Sequence, residues 1–181
     1  MTIDDADEVS LNAASIAPAP VSIARRQSMK EAPAGHVLVR ALPDDPDQVY
    51  FLYVPRRCPA DAPIVVSVHG ITRNACEHAM LLAPFAERYG AVLVAPMFSN
   101  DRFRRYQRLR NERQYGRPDR VLEKIIADAR HLTDVATEKI HLYGYSGGGQ
   151  FAHRYTMAHP EKVAAVVVGA AGWYTFPDPP A

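Results

Sequence analysis

The sequence predicts an α/β protein, a mostly parallel sheet with helices on both faces. Three observations predict it. Short apolar, β-branched runs recur at 63–70, 91–96, 139–145 and 162–169. Segments with helical periodicity or helical boundary residues separate them, at 74–90, 119–136 and 147–160. No internal repeat is visible, so the alternation reads as one strand–helix–strand sheet and not as a solenoid.

Taken in order, residues 1–34 carry Asp, Ala, Ser and Pro without sustained periodicity and are expected to form a disordered tail ahead of a domain at 35–181. GHVLVRAL (35–42) and QVYFLYVP (48–55) read as an antiparallel hairpin, with PDDPD between them as its turn. PIVVSVHG (63–70) is a short apolar strand. In the helix at 74–90, Asn74 is placed to cap, Glu77 to reach back to the cap, and Gly90 to end the helix. Pro84 is expected to kink or interrupt it. AVLVAP (91–96) is a buried strand. In 119–136, Val121, Leu122, Ile125, Ile126, Ala129, Leu132 and Val135 share one helical face. KIHLYGY (139–145) is a strand, GGGQFAHRYTMAHP (147–160) a helix stopped by Pro160, and KVAAVVVG (162–169) the last clear strand.

Composition narrows the function. A chain of 181 residues with 48% hydrophobic and 23% charged residues has the make-up of one globular domain. A formal net charge of +1 argues against a dedicated nucleic-acid binder. No apolar run reaches membrane-spanning length, and the acidic start MTIDDADEVS does not read as a secretory signal. Two cysteines, Cys58 and Cys76, lack metal-type spacing and read as reduced thiols in a cytoplasmic protein. No metal or cofactor is implied.

The stretch with chemistry in it is GYSGGG (144–149). A nucleophile lifted above a sheet needs a tight turn from strand to helix, with strained backbone at the serine. Side chains two residues to either side would collide, which accounts for Gly144 and Gly148 around Ser146. The helix that starts at the serine presents free N–H groups and a positive dipole end, and Gly147 N–H is the first donor available to a developing oxyanion. VSVHGITRNA (66–75) closes another strand beside it and offers Ile71 N–H as the second donor, while His69 reads as a loop-bracing residue. The pattern is neither a GxGxxG nor a GK[ST] phosphate loop.

HGITRNA (69–75) and GYSGGGQFAHRYTMAHPEKV (144–163), with the strands between them, resemble the α/β-hydrolase superfamily, most of all bacterial esterases, lipases and polyester depolymerases. AGWYTFPDP (171–179) resembles the segment after the sixth strand of such proteins. The resemblance implies an α/β-hydrolase fold truncated after the sixth strand. It implies a serine nucleophile at Ser146 acting on a small-molecule carboxylic ester, with no cofactor. A peptidase-type member of the fold, or a pseudo-hydrolase that only binds a ligand or partner, are the alternatives.

The family places its acid and histidine after the serine, yet no histidine follows His159. His153 lies about 10 Å and His159 about 20 Å along the helix from Ser146, whereas a base works at about 3 Å. His131 and His141 read as distant, and His78 alone is left near the mouth. Asp178 stands where the family's catalytic acids emerge. The chain thus reads as the N-terminal part of a hydrolase: a truncated gene, a fragment or a degenerate copy. Its last strand would be left unpaired, so self-association through 163–169 is expected. The segment 101–120 holds eight arginines and three aromatics. It reads as a solvated loop with arginines pairing to Asp4, Asp5, Asp7 and Glu8, or as a hold for an anionic substrate.

Overall fold

A computed structural model describes residues 21–22, 32–111 and 113–176. Seven strands form one sheet in the order β1-β2-β3-β5-β4-β6-β7. They are β1 (Val21–Ser22), β2 (Val37–Leu42), β3 (Asp45–Tyr53), β4 (Ile64–Val68), β5 (Val92–Pro96), β6 (Ile140–Tyr145) and β7 (Val163–Gly169). Helices α1 (Ala75–Tyr89), α2 (Pro118–Thr133) and α3 (Gly147–Ala158) connect the parallel strands. β3 runs antiparallel to β2 and β5, and every other neighbouring pair is parallel. Val21–Ser22 pairs with Val37–Leu38; most of the expected tail, and Asp178 with the residues around it, lies outside the described residues.

The two faces of the sheet differ in side-chain size. On one, α1 lays Ala79, Ala83 and Ala86 against Leu93, Ala95, Val37 and Tyr53. Small residues there let the helix lie close to the strands. On the other, Leu122, Ile125, Ile126 and Ala129 of α2 and Phe151, Ala152 and Tyr155 of α3 cover Ile64, Val66, Val68, Val92 and Val94. β5 is buried along its whole length because both layers cover it. Fully burying each such aliphatic side chain stabilises by roughly 1.5–3 kcal/mol.

Three local expectations are corrected. Asn74 makes no side-chain cap; its amide donates to the Glu77 carboxylate instead (3.0 Å). α1 runs unbroken through Pro84. The hairpin turn is only residues 43–44, because β3 already starts at Asp45. Gly90 does end α1 in the left-handed region at φ 63°, where a Cβ would be strained.

α2 and α3 are tied at their far ends by a buried ionic cluster. Asp119, at the start of α2, is fully buried. It accepts from Arg117 Nε (3.0 Å) and Nη2 (2.8 Å), and bonds His159 Nε2 at the end of α3 (2.9 Å). Burial pushes the Asp119 carboxyl up, but the bonds from Arg117 and His159 outweigh it and hold it below the usual carboxylate value.

β7 forms the edge of the sheet, bonded to β6 alone among the described strands. Val166 and Val167 stand exposed on it, Val167 at 61%. An apolar edge with unpaired backbone groups invites pairing with another chain. Self-association at micromolar concentration is therefore expected in sedimentation velocity, and Val167→Lys should shift the protein to smaller species. A wild-type chain that sediments as a monomer would overturn this.

Candidate functional site

β6 ends at Tyr145 and α3 begins at Gly147, so Ser146 alone makes the turn. Its backbone sits at φ 55°, ψ −116°. An L residue held in so sparsely populated a region costs on the order of 1–3 kcal/mol, and keeps it only when its surroundings enforce it. They do so here through the backbone. Ser146 N–H donates to Gly169 O at the tip of β7 (2.8 Å), and Gln150 N–H donates to Ser146 O (3.1 Å).

The glycines explain how three elements meet so closely. A Cβ on Gly144 would fall 2.8 Å from Gly149 N and closer still to Gly148 O. One on Gly148 would fall 2.6 Å from His69 O and nearer to Val68 O. Gly149, which the sequence did not single out, is also confined, 2.8 Å from Gly169 O. On Gly147, a Cβ would lie 3.0 Å from both Ile71 Cγ2 and Tyr106 Oη, and 3.5 Å from Ile71 N. On Gly70 it would lie 3.6 Å from Ser146 Cβ. Ser146, Gly147 and the loop carrying Ile71 thus converge at the carboxyl ends of β4 and β6, the side on which ligands bind in open α/β sheets.

That loop is braced from below by His69, as expected, together with Phe98, Tyr106 and Arg73, which the sequence reading passed over. His69 is fully buried. Its Nδ1 bonds Gly70 O (2.7 Å), and Phe98 N–H donates to its Nε2 (3.0 Å). A carbonyl only accepts and an amide only donates, so Nδ1 carries the proton and Nε2 none. Burial lowers the His69 pKa to about 4, with the Arg73 charge adding to it against the Gly70 bond. Tyr106 O–H donates to His69 O (2.6 Å). Arg73 lies over the Tyr106 ring at 5.0 Å and donates to Phe98 O and to Arg104 O (3.2 Å). Phe98, Tyr106 and Phe151 stack into one aromatic support under the turn.

The fold has counterparts among solved structures. The poly(3-hydroxybutyrate) depolymerase LpqC from Bordetella parapertussis superposes with a TM-score of 0.66 at 30% identity, over 80% of this chain and 55% of its own. Poly(aspartic acid) hydrolase-1 from Sphingomonas sp. KT-1 gives 0.65 at 25% identity, over 72% of this chain and 54% of its own. The chain has the α/β-hydrolase fold. An acetyl xylan esterase from Aspergillus awamori shares the fold at 20% identity and a TM-score of 0.60, over 78% of this chain and 55% of its own. The chain spans about half the length of these structures. No protein-family model and no curated protein matches it.

In α/β-hydrolase terms the remaining question is the base. The Ser146 hydroxyl has no hydrogen-bond partner among the described residues. All seven histidines are described, and none is bonded to it. His69 faces away into its brace, and His159 is bound to Asp119. His153 Nε2 bonds the Thr175 backbone oxygen (2.6 Å). His36 and His141 stand at the amino ends of β2 and β6, and His131 near the end of α2, all at the other end of the sheet. His78, expected near the mouth, is instead buried under the sheet, with Nδ1 2.9 Å from Ser67 Oγ. That serine–histidine pair is sealed off, since Ser67 has no exposed surface; burial lowers the His78 pKa.

The basic segment is also not a free loop. Phe103 and Tyr106 are fully buried in the core. Arg102 pairs with Asp45, and Arg120 with Glu123 (2.9 Å). The expected acidic partners Asp4, Asp5, Asp7 and Glu8 lie outside the described residues.

Proposed function

We propose that the chain carries the nucleophile and oxyanion donors of a carboxylic-ester hydrolase. Ser146 Oγ attacks the ester carbonyl carbon, its proton passes through solvent water to the leaving alkoxide oxygen, and the carbonyl π electrons move onto the carbonyl oxygen. The N–H groups of Gly147 and Ile71 receive that oxyanion, helped by the positive end of α3. Collapse expels the alcohol and leaves an acyl-serine, which water then hydrolyses. The observation that carries this reading is the strained Ser146 backbone beside two converging amides. The polyester depolymerase at 30% identity makes ester the first substrate class, with amide or peptide as the second.

Oriented donors and binding alone leave about 10³–10⁴-fold acceleration over water when a triad member is missing. This chain is therefore expected to hydrolyse p-nitrophenyl acetate only at that residual level, and Ser146→Ala should leave that level largely unchanged, because donors and binding supply it without the hydroxyl. Turnover at ordinary esterase rates would mean that a base reaches Ser146 after all. A fluorophosphonate probe tests the nucleophile directly. Slow labelling confined to Ser146 supports it. No labelling favours the alternative of a binding module, which the engaged histidines recommend.

A further inference from the structure

Along α3, beginning at Gln150, runs a groove of about 710 Å³ whose described charged lining is all of one sign. Arg108, Arg110 and Arg154 line it with Gln150, Trp173 and Tyr174, and no acidic residue does so among those described. Three separate segments build it: the 3₁₀ turn after β5, the first turns of α3, and the stretch after β7. Gln150 is four residues beyond Ser146 and Arg154 eight, so the groove covers about 6–12 Å from the serine along α3.

Two of these arginines have no acidic partner among the described residues. Arg108 and Arg110 are exposed, and neither guanidinium meets a carboxylate among the described residues. Arg154 is held in place by Gln107 O (2.8 Å) and Thr175 Oγ1 (2.8 Å), neither of them charged. Burial first, and then the nearby Arg108 charge, lower the Arg154 pKa. Like charges gathered without counter-charge cost stability and are repaid when an anion arrives. Trp173, 76% exposed, and Tyr174 add flat apolar walls.

We propose that this groove binds an extended, carboxylate-bearing chain. Planar guanidinium forks match carboxylates in pairs. The volume is that of a small-ligand site, too short for the run of phosphate contacts that holds a nucleic acid. About four extended residues or monomers span the roughly 12 Å along α3 from Ser146 to Arg154. That this chain is the substrate, led past Arg154 to Ser146, rests on the reading of Ser146 as nucleophile.

Trp173 is the single tryptophan of the sequence and reports on the groove alone. Titration with tetraglutamate at low salt should change its emission saturably, in wild type and in Ser146→Ala alike. Tetraglutamine, of the same length without charge, should give no saturable change. Arg108→Gln with Arg110→Gln should weaken tetraglutamate by roughly tenfold or more, while slow fluorophosphonate labelling of Ser146 persists. No saturable response, an equal response to tetraglutamine, an unchanged affinity in the double variant, or tighter binding of a four-nucleotide thymidylate would each overturn the proposal. Loss of labelling with tetraglutamate binding intact would overturn only the nucleophile reading.

Discussion

Gly148→Val should abolish the folded state at room temperature. The position has no room that relaxation can create. Its first added atom would fall inside the Val68 carbonyl and 2.6 Å from His69 O. Both are backbone atoms at the end of β4, a strand paired on both sides with β5 and β6. Accommodating even one methyl means lifting α3 off the sheet, and valine adds two more. Losses above about 4 kcal/mol arise from such backbone and overpacking conflicts, and total stability is only about 5–15 kcal/mol. Gly149→Ala should cost less, because its worst neighbour is Gly169 O at 2.8 Å, on the edge strand, which can give way. Thermal melts followed by circular dichroism compare the two. Equal melting temperatures would show that the turn is not enforced by β4.

The turn was legible because its cause is local. Glycines two residues to either side of a serine, between an apolar strand and a helix, report a crowded corner within six residues of sequence. The strands and helices were legible for the same reason, since alternation and helical periodicity are properties of short windows. What the sequence hid is assembled from distant pieces. His69 meets Phe98 across 29 residues and Tyr106 across 37. Nothing near Tyr106 distinguishes it from the exposed arginines around it, so it was read as part of a solvated loop. Gln150, Arg108 and Trp173 likewise form one groove only after α3 and the ends of β5 and β7 are in place. Val21–Ser22 is too short to carry a periodicity at all. Conversely, the Asn74 capping pattern was visible but unused, because Thr72 Oγ1 donates to Asn74 Oδ1, the atom a cap would use, and the amide nitrogen donates to Glu77.

Acidification between pH 6.5 and about 4 should destabilise this protein through His69. In the folded state burial holds its pKa at about 4, against 6.5 for the free side chain. Between those values the unfolded chain binds a proton that the folded chain refuses, so stability falls as pH falls. Above pH 6.5 both states are neutral, and the residue adds no pH dependence. At 1.36 kcal/mol per unit the loss accumulates to about 3 kcal/mol by pH 4. His78, also lowered by burial, pulls in the same direction, whereas Asp119 adds its own loss only below the ordinary aspartate value of 3.8. The physical event is specific. A proton on Nε2 would face the Phe98 N–H, which then has no acceptor. The loop carrying Ile71 N–H loses its anchor to β5, and Ser146 loses the donor opposite Gly147. His69→Gln removes the titration and one of the two bonds. Its stability at pH 7 should be lower than wild type, yet urea midpoints should fall less steeply from pH 6.5 to 4, by about 3 kcal/mol in total. Parallel pH profiles for the two proteins would show that His69 is not the group that titrates.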